Sequence, residues 1–303
     1  MTRFYTLGTS SAVPTAKRDL AANLLDFQGE KILFDCGEGT QKTLMKYQLG
    51  LMQIDKVFIT HWHADHFSGL LGLVQTLGME GRDRPLYIYG PEGTEENTKR
   101  LLELGHFNRQ YDIYADDLEP GDRVEGDEYE IRAFRTDHRV PSLGFVFEEE
   151  EKTKASRKKM EELGLEPSPK IGRLKEGESV EIDGETIKPE QVVEKVPGRK
   201  VVYTGDTEYS EKTVKASKNA DLLVHDSTFT QDLVKDGREK HASAKQAAEV
   251  AKKAGVEKLV LTHFSRRFDK DASPLLEEAE EVFENSVLAE EGKEFEVKPH
   301  RPE

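Results

Sequence analysis

The sequence predicts a layered α/β fold with helices outside packed sheets, and two observations predict it. Short alternating or wholly apolar runs bounded by Gly or Asp recur along the chain, and stretches with apolar residues three and four apart lie between many of them. The first third opens with strands close together, Phe4–Leu7, Leu24–Phe27 and Lys31–Phe34, followed by a helix over Gly39–Leu49. Strands and helices then alternate. Val57–Ile59 is followed by helix Phe67–Leu77, and Leu86–Tyr89 by helix Gly93–Leu104. Strands Tyr129–Phe134 and Phe145–Phe147 come next, then Val201–Tyr203 with helix Glu211–Ser217, Leu222–Val224 with helix Ala242–Ala254, and Leu259–Leu261 with helix Pro274–Phe283. In such layers the reactive groups gather on loops at strand ends.

The 303 residues suffice for one large domain or two halves, each with its own core. With 36% hydrophobic residues and a mean hydropathy of −0.69, no run approaches the roughly 20 apolar residues of a membrane helix. The start lacks an apolar secretory segment, and Cys36 is the only cysteine, which excludes an intrachain disulfide. A cytoplasmic protein without membrane contact is expected. The 44 Lys+Arg against 59 Asp+Glu give a net charge of −15, which on average repels a polyanion. One segment departs from that average: after four glutamates at 148–151, residues 152–175 carry eight bases and three acids, a local charge of +5. With few large apolar residues and the stiff Pro167–Ser168–Pro169, it reads as an excursion from the core, a short amphiphilic helix and an extended stretch.

Thr60–His61–Trp62–His63–Ala64–Asp65–His66 lies between a strand and a helix, so four potential ligands stand in one loop. Imidazole and carboxylate donors without a nearby thiolate suit Zn²⁺, Mn²⁺ or Fe²⁺. Further candidates recur just past strands: His138, Asp206 in Thr204–Gly205–Asp206–Thr207, and His263 in Leu261–Thr262–His263–Phe264.

This spaced set resembles the metallo-β-lactamase superfamily. Leu33–Phe34–Asp35–Cys36–Gly37–Glu38–Gly39–Thr40–Gln41, Leu7–Gly8–Thr9–Ser10–Ser11, His225–Asp226–Ser227–Thr228–Phe229, His241–Ala242–Ser243 and Thr262–His263–Phe264–Ser265–Arg266–Arg267 narrow the resemblance to the ribonuclease Z family, over nearly the whole chain. It implies a single domain over 1–303, a four-layer αββα metallo-β-lactamase sandwich with a flexible, basic substrate-binding arm inserted over 148–198. It also implies two Zn²⁺ per subunit, with Mn²⁺ or Fe²⁺ as substitutes. His61, His63 and His138 would hold one ion, Asp65, His66 and His263 the other, and Asp206 would bridge them. The substrate implied is precursor tRNA, bound through Arg18, Lys170, Arg173, Ser265 and Arg267 by a homodimer in which the arm of one subunit serves the site of the other.

The chemistry so implied is hydrolysis of the phosphodiester after the last encoded nucleotide, leaving a tRNA 3′-hydroxyl for CCA addition and a 5′-phosphorylated trailer. Asp65 would orient the attacking water. His241, oriented by Asp226, would protonate the leaving 5′ oxygen of the trailer, and Asp35 would support the ligands through hydrogen bonds. The competing reading is another hydrolase of the same fold acting on a small phosphodiester, sulfate ester or lactone.

Overall fold

The computed structural model describes residues 1–106, 110–182, 184–234 and 240–300. Two seven-stranded sheets face each other. The first runs in the order Lys293–Val297, Thr2–Gly8, Ala22–Phe27, Glu30–Phe34, Ile54–Phe58, Leu86–Gly90, Ile113–Asp117. The second runs Ser286–Leu288, Lys258–Thr262, Leu222–Asp226, Lys200–Tyr203, Leu143–Glu149, Tyr129–Arg135, Arg123–Glu125. Each sheet has an antiparallel half and a parallel half. Most of the parallel pairs are joined by helices that cover the outer faces.

Alternation along the strands explains the layering. In the first sheet Phe4, Leu25, Phe27, Ile32, Phe34 and Phe58 point to the facing sheet, whereas Leu7, Leu24, Leu33 and Val57 pack under the helices Thr40–Lys46, Leu70–Met79 and Thr94–Glu103. Aromatic rings stitch the two inner faces: Phe27 to Phe147 at 5.2 Å between centroids, Phe58 to Phe145 at 5.1 Å and Phe34 to Tyr203 at 6.0 Å. Helices Glu211–Ala216, Ala244–Ala254 and Ser273–Glu280 cover the second sheet, completing four αββα layers.

The ten strands expected from apolar patterning are present, with Val57–Ile59 lying earlier, at Ile54–Phe58. The short or edge strands Ile113–Asp117, Arg123–Glu125, Ser286–Leu288 and Lys293–Val297 were not expected. The helix expected over Phe67–Leu77 is two helices, Ala64–Phe67 and Leu70–Met79. The break at Gly69 has a steric cause: its N–H donates to the Cys36 carbonyl at 2.8 Å, and a Cβ there would meet the Gly37 carbonyl oxygen at 2.1 Å.

The excursion after Glu149 is more ordered than its composition suggested. Lys152–Ala155 pairs with Val193–Val196, Val180–Ile182 pairs with Glu185–Ile187, and helices Arg157–Glu162 and Pro169–Lys175 lie between. Ile171, Leu174, Val180, Ile187 and Val192 form a small buried cluster of their own. The register pairs Lys200 with Glu148 and Tyr203 with Phe145, so the excursion leaves and rejoins the second sheet at one edge, while residues past Tyr203 emerge at the opposite edge.

Candidate metal centre

Three of the loops that carry the candidate ligands follow the carboxyl ends of Ile54–Phe58, Lys200–Tyr203 and Lys258–Thr262, and the fourth is the turn between Tyr129–Arg135 and Leu143–Glu149. They meet over one edge of the sandwich. His61 Nε2 lies 2.9 Å from His63 Nδ1, His138 Nε2 lies 3.2 Å from that same Nδ1, and Asp206 Oδ2 is 3.6 Å from His61 Nε2. The other Asp206 oxygen, Oδ1, is 3.2 Å from both His66 Nε2 and His263 Nε2, and Asp65 Oδ2 is 3.4 Å from His263 Nε2. Two tetrads therefore share Asp206, which turns one oxygen to each, and a third group among the described residues joins Asp206 and His263 to Asp226 and His241.

Whether these residues suit a cation is decided by where their protons are. His66 Nδ1 donates to Asp35 Oδ2 at 2.7 Å, His138 Nδ1 to the Lys240 carbonyl at 3.0 Å, His61 Nδ1 to Thr60 Oγ1 at 3.1 Å and His263 Nδ1 to Thr228 Oγ1 at 3.1 Å. In the tautomer that lets the outer nitrogens donate, the inner nitrogens turn lone pairs toward carboxylate oxygens and one another, an arrangement that a cation satisfies. The buried Asp206 Oδ1 has no hydrogen-bond partner despite the two nitrogens 3.2 Å away. Ligand atoms around a tetrahedral ion with bonds of about 2.1 Å stand about 3.4 Å apart, which is the spacing seen here. The donor set fits divalent metal.

Local backbone aims the donors. Asp35, His263, Ala12 and Lys240, four of the eight non-glycine residues with positive φ among the described residues, all border this site. Gly205, at φ 59, turns the chain just before Asp206, and a Cβ on it would meet Thr60 at 2.7 Å. Asp35, fully buried, also accepts from Thr60 N and Tyr203 OH, both at 2.7 Å. Asp65 Oδ2 accepts from the Ala12 N–H at 2.8 Å.

The carboxylates and imidazoles of the cluster shift one another's protonation. Burial alone would raise Asp206, but His263, His66 and His241 hold it well below the carboxylate range. His66 shows the converse: burial opposes its charge, and Asp206 and Asp35 raise it well above an ordinary imidazole. Burial and neighbouring imidazoles depress His61, and burial depresses His138. His241 Nδ1 donates to Asp226 Oδ2 at 2.8 Å; burial works against its charge, yet Asp226 and Asp206 lift it to about 9. Asp226 is fixed in turn by Thr228, whose hydroxyl donates to Oδ1 at 2.6 Å.

Residues 2–160 match the family described as Anti-Pycsar protein Apyc1, and residues 191–264 match the beta-lactamase superfamily domain. Full-length relatives narrow the family further. Ribonuclease Z of Methanosarcina acetivorans is 44% identical over 306 residues, covering all of both chains, and that of Archaeoglobus fulgidus is 45% identical over 299 residues, covering 96% of each. The chain belongs to the ribonuclease Z family. Among solved structures, the short form of human tRNase Z aligns with a TM-score of 0.71 at 28% identity, covering 98% of this chain and 99% of that one. The metallo-beta-lactamase fold protein YhfI of Bacillus subtilis aligns with a TM-score of 0.70 at 22% identity, covering 97% and 98%, a likeness of fold.

Measured against the ribonuclease Z expectation, the structure gathers all seven candidate ligands with Asp35, Asp226 and His241 at one centre. Ser265 and Arg267 follow His263 closely in the chain, and Arg18 packs on its neighbour Phe264. Arg18 is already engaged, its guanidinium 4.7 Å from the Phe264 ring centroid and donating to Thr9 Oγ1 at 2.8 Å. Ser265 caps the turn Arg266–Phe268, and Arg267 is exposed. Lys170 and Arg173 stand apart in the excursion, where Lys170 donates to the Glu181 carbonyl and Arg173 pairs with Glu178. Sequence reasoning missed Thr60, Thr228, Tyr203 and the Lys240 carbonyl as supports. The two threonines sat inside motifs already noticed, whereas nothing local marks Tyr203.

Proposed function

We propose that this chain is the endoribonuclease that removes the 3′ trailer from precursor tRNA, with two divalent ions, zinc by its donor preferences, held as His61, His63, His138 and Asp65, His66, His263 with Asp206 between them. The observation that carries it is the shared Asp206 carboxylate, one oxygen in each tetrad, in a chain alignable end to end with ribonuclease Z. Such an ion pair, when bound, supplies an activated water and neutralises charge on the phosphodiester.

The chain's own residues do the rest. Asp65, buried and anchored by the Ala12 N–H, orients the attacking water. A tRNA 3′-hydroxyl and a 5′-phosphorylated trailer require the bond between phosphorus and O3′ to break. The leaving oxygen is therefore O3′ of the tRNA and not the trailer's 5′ oxygen, correcting the expectation above. His241, with Nδ1 committed to Asp226, delivers its proton to that O3′ from Nε2.

The 150–198 excursion supports RNA contact in trans. Its root is at the sheet edge opposite Asp206, roughly 20 Å away along the strand, so a dimer would let it reach the partner's site. Its surface is less uniformly basic than 152–175 suggested, because 176–198 adds seven acids against two bases. Lys152, Arg157, Lys159, Arg173 and Lys195 have carboxylate partners, while Lys158, Lys175 and Lys188, exposed and without an ion pair among the described residues, are left for phosphate. Among the described residues no helix is long and apolar enough to cross a membrane.

Cleavage of an end-labelled precursor tRNA transcript tests this. The expected products are a 3′-hydroxyl tRNA and a 5′-phosphorylated trailer, lost on chelation and regained with zinc. A 2′,3′-cyclic phosphate, or hydrolysis of small phosphodiesters only, overturns it.

A further inference from the structure

We infer that the ion pair between Lys240 and Glu208 is a positioning device that sets the rings of His138 and His241 against Asp206. Three separate loops meet at this pair. Lys240 Nζ reaches Glu208 Oε1 at 2.6 Å, and the Lys240 carbonyl takes the Nδ1 proton of His138 at 3.0 Å. Lys240 also directly precedes His241 in the chain. Glu208 stands two residues after Asp206, and its backbone N–H donates to the carbonyl of Asp137, the residue before His138, at 3.1 Å. Thr207 Oγ1 closes the knot by accepting from Asp137 N at 3.1 Å.

The backbone gives a second, independent sign. Lys240 is held at φ 56, a left-handed conformation that a residue with a side chain adopts only when its surroundings impose it. The contact paired with that conformation is the carbonyl turned to His138. Both members of the pair are about one-third exposed, at 34% and 29%, so the ion pair adds little to stability. Its effect belongs in geometry: where Nε2 of His138 points, and where His241 stands 5.2 Å from that ring. The pair also lies in the wall of a 910 Å³ cavity that His138, Arg135 and Arg139 line.

This inference rests on the proposed phosphodiester chemistry but is tested apart from the identity of the RNA. Glu208→Gln, Lys240→Met and the reversed pair, Glu208→Lys with Lys240→Glu, are made in the full-length zinc-loaded protein. In either single variant kcat on a small phosphodiester and on precursor tRNA falls about 10-fold or more, with KM for the RNA little changed, as a slight misplacement of reacting groups requires. The imidazole N–H resonances of His138 and His241 shift or broaden in both, the melting temperature stays within about 2 °C of the parent, and the reversed pair recovers most of kcat. Single variants with parental kcat and unshifted N–H resonances overturn the inference. If a single variant does not fold, the reversed pair decides, since a folded reversed pair still about 10-fold slow also overturns it. A parent that cleaves the small ester and ignores precursor tRNA would instead sink the proposed substrate, leaving the resonances and the small-ester kcat to judge the positioning.

Discussion

Asp35 touches no candidate ion, yet it accepts from Tyr203, Thr60 and His66 at once. Removing the phenol in Tyr203→Phe leaves the Asp35 carboxylate short of one partner in a fully buried place, at a cost of about 1–3 kcal/mol. Urea unfolding should show that loss, and competition with a chelator should show metal affinity reduced about 10-fold or more. Replacing a ligand is harsher: His63→Ala or Asp206→Ala is expected to abolish turnover of both RNA and a small phosphodiester, and residual turnover in either variant would refute the assignment. Cys36, fully buried, has its thiol pushed up by burial to about 12, so it should resist alkylation at pH 8 until the protein is unfolded. At this scale the sequence was most informative where chemistry was dense: four donors within His61–His66 stand out. It was silent where a residue acts through another, because Tyr203 and the Lys240 carbonyl gain their roles only when distant loops meet.

Among the elements, the junction of the excursion with the second sheet is the most specific. Arg199 and Glu149 form a nearly buried pair there, with Nη2 to Oε1 at 2.8 Å. Burial would raise Glu149, but the hydrogen bonds from Arg199 and Lys152 bring it from 4.5 to about 2. A carboxylate depressed on folding contributes stability above its ordinary pKa and loses it as pH falls through the folded value. Stability should therefore drop between about pH 4.5 and 2 less steeply in Glu149→Gln than in the parent, read by urea unfolding across that range. The excursion has to be excised as a whole. Removing only 152–175 would strip Ile171 and Leu174 from the small cluster and leave Val193–Val196 unpaired. Joining Glu149 to Arg199 by a two-residue Asn-Gly turn keeps the existing antiparallel register. That variant should stay folded and hydrolyse a small phosphodiester while losing precursor tRNA cleavage; cleavage surviving would show that the excursion does not grip RNA. The long apolar strands and the amphipathic helices were legible because their period is carried by several residues each. The excursion's helices and hairpin were not, since few large apolar residues form its cluster and its charges mask the period.

Over the whole molecule, a charge of −15 leaves few places where RNA can approach without repulsion. The affinity for precursor tRNA is expected to fall with salt, and Lys158→Ala or Lys175→Ala should each lower the slope of log affinity against log salt by about 1. An affinity indifferent to salt would contradict this distribution of charge. The shared centre has a mechanical side as well. His61 and His63 come from the first sheet and His138 and Asp206 from the second; Asp65 and His66 come from the first, His263 and Asp206 from the second. Each of these two tetrads thus draws two residues from either side, and neither can be completed from one sheet alone. An ion seated there is a rivet as much as a reagent: the enzyme cannot be charged for catalysis without also being fastened, and two separately made halves of this chain would find each other far more tightly in the presence of metal than in its absence.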